Sequence, residues 1–487
     1  MSKSIKKNYI YNVIYQMVIL FTPLLTTPYI SRVLGADGVG THSYTYSISS
    51  YFVLVAILGT NTYGQREIAY QQDNSYNLSV VFWENIIFRI TTGGISILCY
   101  LVYSFNIAEN TLIALFQGMY IVTAVLDIAW FFQGIEEFKK LVTKNLIVKF
   151  IFLLFIFLLI NSKEDITLYI WGLAFLNLCG SLSMWFVLPQ HIVKVKLQDI
   201  KPFRNIKTII QLFIPSIAMQ VYTVLDKTMI GLYTDTNFEN GYYEQAEKLV
   251  KMTLSIVTSL GTVMIPRLAY TFNSGDMEKL CLYLKRSFRF VWFIATPMLM
   301  GLIGISDLIV VWFFGEGYEK CEVLIKVFSF LLIAIGLNTV SGNQYLIPTK
   351  HQNVYTVSVF GGAIINLVLN LVLIPKYLSV GAAVASVCAE LTIALIQLFY
   401  MNSIQKILKW RECLFCGFKY IISAGVMLAV IEWMKTIWVL NTVVGTFEAM
   451  FVGMVVYFGC LILLKDAFMM NILKDALEMF KARLVRK

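Results

Sequence analysis

The sequence predicts an all-α polytopic membrane protein of about fourteen transmembrane helices, and three observations lead there. The 487-residue chain is 58% hydrophobic and only 14% charged, with a mean hydropathy of +0.72. A water-soluble protein of that length needs far more charge to cover its surface. Apolar runs of roughly 20 residues, the length that crosses a hydrocarbon core of about 30 Å, recur from end to end. Basic residues gather in every second gap between them, as the positive-inside rule requires.

The first run, Tyr9 to Leu34, follows Lys3, Lys6 and Lys7. It is too long for a signal-peptide core and has no small-x-small cleavage site behind it, so it reads as a retained span. Further spans lie near 41–65, 79–104, 110–133, 145–161 and 166–189. After a basic stretch come 208–234, 241–266, 288–314, 321–347, 353–374 and 380–402, then 414–434 and 441–464. Pro23, Pro28 and Pro215 interrupt their runs.

With the N-terminus inside, the cytoplasmic segments carry Lys139, Lys140 and Lys144, then Lys194, Lys196, Lys201, Arg204 and Lys207, and later Lys279, Lys285 and Arg286. The outer loops hold little beyond Lys163, Lys320, Lys376 and Lys435. Both termini are therefore expected in the cytoplasm. The net charge of +10 falls on surfaces that face anionic lipid headgroups rather than nucleic acid, since no soluble domain exists to carry a basic face. The tail "DAFMMNILKDALEMFKARLVRK" (466–487) alternates apolar and basic residues at helical spacing and is expected along the inner membrane surface.

The longest inner linker, "HIVKVKLQDIKPFRNIK" (191–207), follows span six and divides the chain into two six-helix halves, 1–205 and 206–402, with 403–487 added. A faint internal echo fits parallel repeats. Gly40 in "GVGTHSYTY" and Gly241 in "ENGYYEQAE" occupy equivalent turns before tyrosine-rich helix starts.

A charge near mid-bilayer costs about 2.5–3.5 kcal/mol on insertion scales and so needs water or a partner. "YTVLDKTMIGLY" (222–233) places Asp226 beside Lys227, but helical neighbours point about 100° apart and cannot be each other's main partner. Asp226 lies roughly 12 Å below the outer end of its span at 1.5 Å per residue. Glu244, Glu247, Lys248 and Lys251 on the next span lie at a similar level, with acid-first i,i+4 spacing. One reading is that these charges neutralise one another and pin the hairpin. Four charges on one span exceed what pinning requires, since small residues pin helices more cheaply, so a hydrophilic cavity wall is the stronger reading. Arg32 ends span one, Glu84 and Arg89 lie within span three, Asp127 within span four and Glu390 within span twelve.

No nucleophile elbow, phosphate-binding loop or metal motif appears, and Cys413 and Cys416 lack a second CxxC or nearby histidine. The chain is expected to be a transporter with no catalytic residue, metal or cofactor.

Several stretches resemble one family. They are "PLLTTPYISRVLGADGVG" (23–40), "SYTYSISSYFVLVAILGTNTYGQREIA" (43–69), "DIAWFFQGIEEFKK" (127–140), "LDKTMIGLY" (225–233), "NGYYEQAEKLVK" (240–251) and "GNQYLIPTKHQNVYTVSVFGGAIINLVLNLVLIP" (342–375). Together they are similar to bacterial Wzx-type flippases of the multidrug/oligosaccharidyl-lipid/polysaccharide exporter superfamily. The resemblance implies two six-helix lobes around a central cavity in the bacterial cytoplasmic membrane. It implies translocation of undecaprenyl-pyrophosphate-linked repeat units by alternating access for capsule, exopolysaccharide or O-antigen, beside polysaccharide polymerase machinery. Under it, Arg32, Arg89, Lys227, Lys248 and Lys251 would receive the anionic headgroup. Asp127, Asp226, Glu244 and Glu247 would balance charge or couple to a proton or sodium. The alternative is a cation-coupled small-molecule exporter of the same superfamily, which would favour an acidic, aromatic cavity.

Overall fold

The computed structural model describes residues 5–404, 409–437, 442–471, 474 and 478, and among these the chain is helical without a strand. The amphipathic tail anticipated over 466–487 lies largely outside them. Ten segments are long and apolar enough to cross a membrane. Counting both halves of the two bent helices, and the helix over Ile206–Tyr233, gives the fourteen spans that the sequence predicts.

The chain packs as two compact units, 1–241 and 242–487. The helix over Ile206–Tyr233 thus packs with the first unit, although the linker before it marks the division between the sequence halves.

In the first unit, α1 (Ile5–Ile57) bends at Gly35, whose φ of 70° is left-handed and open to glycine at little cost. The second span then ends earlier than hydropathy indicates. Leu58 and Gly59 take positive φ, and α2 (Thr60–Tyr70) begins as a separate short helix carrying Arg66. Asn74 caps α3 (Ser75–Asn106) by accepting from the Tyr76 and Asn77 amides. The fourth span is also broken. α4 (Thr111–Leu126) stops at Asp127, whose carboxylate accepts from the Ala129 amide at 3.2 Å, and α5 (Ala129–Gly134) follows. This local turn competes with the helix and wins, as short acidic side chains do. α6 (Phe138–Leu159) and α7 (Ile166–Ser183) form the fifth and sixth spans, and α8 (Ile206–Tyr233) follows the linker. Trp130, Phe131 and Phe132 of α5 fill a core with Ile68, Phe82 and Leu141.

The second unit begins within α9 (Phe238–Asn273) and continues through α10 (Met277–Ile309). α11 (Lys320–Phe328) and α12 (Leu331–Asn338) run into a π-helical stretch over Thr339–Leu346. α13 (Gln352–Phe399) holds two spans that fold back on each other at Leu378, whose φ is 51°. Gly381 lies against the Leu373 backbone and Gly362 against Ile393, which makes the two halves an antiparallel pair joined without a loop. α14 (Trp410–Phe415), α15 (Phe418–Ile437) and α16 (Thr442–Leu463) follow. Tyr457 of α16 donates to the Phe293 carbonyl at 2.8 Å, and Trp292 donates to the Cys413 carbonyl at 2.8 Å. The CxxC thus sits in a packed corner, where the Cys416 thiol donates to the Cys413 carbonyl.

Candidate functional site

In the first unit the polar groups gather on three elements. The first is a clasp between the turn before α9 and the second half of α1. Asn237 donates its backbone amide to the Asp37 carboxylate at 3.2 Å and its side-chain amide to Thr41 at 3.1 Å. A methyl group on Gly40 would overlap the Asn237 carbonyl oxygen, and one on Gly241 would overlap the Ala36 carbonyl oxygen. Ala36 stands one turn before Gly40 and Asn237 one turn before Gly241, so the contact is reciprocal in the manner of a two-fold interface. The two turns that the sequence echo relates therefore meet each other.

The second element is the stretch around Asp226 and Lys227 on α8. Asp226 is buried and Lys227 partly buried, beside a polar seam to α1. Thr228 lies 2.8 Å from the Ser47 hydroxyl and donates to Tyr51 at 3.2 Å. Gly231 abuts the Tyr44 ring. Asn240, its amide oriented to satisfy both partners, donates to the Lys227 carbonyl at 2.9 Å and accepts from the Gly231 amide at 3.1 Å. These two backbone groups are i,i−4 partners within α8, so the Asn240 amide addresses the helix ladder directly beside Lys227. Arg32 is exposed on α1, one turn before the Gly35 bend.

The third element is Arg89, which is fully buried. Its Nε donates to the Thr60 hydroxyl at 2.7 Å, and one terminal nitrogen donates to the Ala124 and Asp127 carbonyls at 3.3 and 2.8 Å. The other donates to the Asn61 carboxamide oxygen, and the guanidinium lies 5.4 Å from the centre of the Trp130 ring. The planar fork thus ties the start of α2 to the broken end of α4 through acceptors that helix breaks have freed. Asp127 takes part through its carbonyl, while its carboxylate holds the turn to Ala129.

Sequence reasoning missed what Glu84 does. This buried carboxylate accepts from the Lys201 amide at 2.9 Å and from Arg204 at 3.4 Å. Val193 donates its amide to Ser79 at 2.9 Å, and Asn205 donates to Tyr63 at 2.6 Å. The linker is therefore strapped along α3 rather than slung between halves. The signal was an acid within a span whose partners lay beyond i±4, in the following basic stretch. Glu84→Ala is expected to weaken the strap by about 1.5 kcal/mol, the value of a hydrogen bond to a charged group. Tryptic cleavage after Arg204 in the folded protein should then accelerate about tenfold; an unchanged rate would refute the strap.

In the second unit, Glu247 is buried and pairs with Lys251 at 2.7 Å, the i,i+4 pair that the sequence spacing allows. Glu244 and Lys248 are partly buried on the same helix. Further along, Asn338 donates to the buried Glu390 at 3.1 Å, and a chain runs from Ser341 to Gln397 (2.6 Å) to Ser358 (2.9 Å). Buried amides and hydroxyls in apolar spans serve as interhelical glue, and the π-helical turn at Thr339–Leu346 lies alongside them.

Comparison with known proteins adds four findings. A family model described as "Polysaccharide biosynthesis protein" matches residues 5–272. A candidate O-antigen transporter of Escherichia coli (strain K12) is 21% identical over 406 residues, covering 82% of this chain and 97% of that protein. A candidate low-salt glycan biosynthesis flippase, Agl15 of Haloferax volcanii, is 23% identical over 251 residues, covering 50% of this chain and 51% of that one. Among solved structures, the lipid II flippase MurJ in an inward closed conformation aligns with a TM-score of 0.68 at 16% identity. That alignment covers 95% of this chain and 99% of the other, so the two share a fold.

Proposed function

Since the chain belongs to the polysaccharide biosynthesis protein family, we propose that it is a flippase that carries lipid-linked oligosaccharide repeat units across the bacterial cytoplasmic membrane. The cargo on this reading is an undecaprenyl-pyrophosphate-linked glycan, moved by alternating access between lobes 1–205 and 206–402 and handed to polymerase machinery outside. The observation that carries the reading is the reciprocal clasp of Gly40 and Gly241, a closure built from two equivalent turns on one face. On this reading the clasp is the closed state of a gate, with no room even for a methyl group between its two turns.

A pyrophosphate cannot cross hydrocarbon unaided, and in the first unit the cations proposed to meet it are Lys227 beside the α1 seam and the exposed Arg32; in the second unit Lys248 is the candidate, Lys251 being paired with Glu247. Arg89 is assigned to bracing instead, because its donors are spent on the protein. Of the acids named for coupling, Asp226 suits a proton or sodium best, being only 3% exposed within a membrane helix. Asp127 is committed to its turn and Glu247 to Lys251.

The test is reconstitution in proteoliposomes with a fluorescent undecaprenyl-diphosphate oligosaccharide. Transfer between leaflets is expected, and Lys227→Ala should slow it about 10- to 100-fold, the value of a charge-assisted contact to an anion, with stability unchanged. Liposomes that extrude cationic dyes yet leave the glycan lipid in place would replace this reading with the small-molecule exporter.

A further inference from the structure

Where the strapped linker crosses the α2–α3 turn, the first unit forms an open surface pocket of about 520 Å³, with Val80 and Val81 in its lining and exposed polar side chains around them. Small-molecule sites are commonly about 300–1,000 Å³. The walls are fixed before any ligand arrives. The Tyr76 hydroxyl accepts from the Lys196 amide at 3.2 Å and donates to the Asp199 carboxylate, and Glu84 holds Lys201 and Arg204 from behind.

Within those fixed walls a different group of side chains is unspent. Gln71, Asn77, Gln198 and Lys201 line the pocket, and their carboxamides and ammonium make no hydrogen bond or ion pair among the described residues. Each carboxamide offers both a donor and an acceptor, which suits hydroxyl groups, while the lysine offers donors that carry a positive charge. The one carboxylate in the lining, Asp199, is already held by Tyr76. A bare anion would leave the three amide oxygens without a donor, and a neutral sugar would leave the charge of the lysine unmatched.

We propose that this cavity binds the phosphate ester of a sugar or polyol, with Lys201 on the phosphate and Gln71, Asn77 and Gln198 on the hydroxyls. The site lies on the linker face, away from the clasp and the α8 seam, and does not depend on the transport reading. Its ligand can come from a soluble sugar phosphate or from a lipid headgroup of the same chemistry.

The test uses the full-length protein in phosphatidylcholine nanodiscs, titrated calorimetrically with glucose 1-phosphate and separately with inorganic phosphate. Saturable binding of glucose 1-phosphate is expected, at least about tenfold tighter than inorganic phosphate, as the amide contacts require. Lys201→Ala and Asn77→Ala should each weaken it about tenfold, whereas Lys194→Ala, an exposed linker lysine outside the cavity, should not. A second arm uses phosphatidylglycerol nanodiscs. Loss of the glucose 1-phosphate signal there, restored by no soluble competitor, assigns the site to the lipid headgroup, and an undiminished signal assigns it to the soluble ester. No binding in phosphatidylcholine, equal binding of inorganic phosphate, or indifference to both cavity variants overturns the proposal.

Discussion

Gly40→Ala is expected to lower lipid-linked glycan transfer at least about tenfold at normal expression. The added methyl meets a backbone carbonyl, that of Asn237, which cannot rotate away as a side chain would. The two chains must separate instead, and overpacking of this kind costs about 1–3 kcal/mol. If the clasp opens during transport as proposed, that cost falls on its closed state and shifts a conformational equilibrium rather than unfolding the protein. A cysteine at position 41 should accordingly react faster with a membrane-impermeant maleimide added outside. Gly241→Ala should act through the Ala36 carbonyl with similar size, and the double variant should fall short of the sum, because both residues close one contact. Gly425→Ala on α15, with nothing within 4 Å, is the matched control. Wild-type transfer by both clasp variants would remove the gating role.

Arg89→Ala is expected to have the largest effect on stability, about 3 kcal/mol, with the protein failing to survive detergent extraction as a monodisperse species. The substitution removes the donor from the Ala124 and Asp127 carbonyls, the buried Thr60 hydroxyl and the Asn61 amide oxygen at once, and with it the link between α2 and α4. Arg89→Lys should recover less than half of the loss, because a single ammonium cannot reproduce a planar fork that reaches both helix ends. Size-exclusion profiles and thermal midpoints check this. An Arg89→Ala protein of normal stability that has lost transfer would return the residue to the substrate path. Lys227 and Arg89, equivalent as cations in an apolar sequence, thus separate by what each loses: transfer for the first, the fold for the second.

Hydropathy and loop charge were enough to number the spans, because each span must satisfy the same length and the same apolar demand. They did not locate the breaks at Leu58–Gly59 or Asp127, which depend on single residues whose apolar neighbours read straight through. The echo around Gly40 and Gly241 was legible, but not that the two turns touch, since periodicity carries no distance between helices. Arg89 was conspicuous in α3 as an unpaired-looking charge. Its partners are carbonyls and an amide released by breaks in other helices, which no spacing along α3 can reveal. The i,i+4 pair Glu247–Lys251 was readable for the opposite reason, since both partners share one helix.

The doubled helix α13 bears on how the protein is made. Its two spans are joined at Leu378 with no soluble connector, and Gly381 already touches the Leu373 backbone. With no chain between them to form a loop, the two spans are expected to insert as one hairpin, and a substitution at the bend is expected to disturb both.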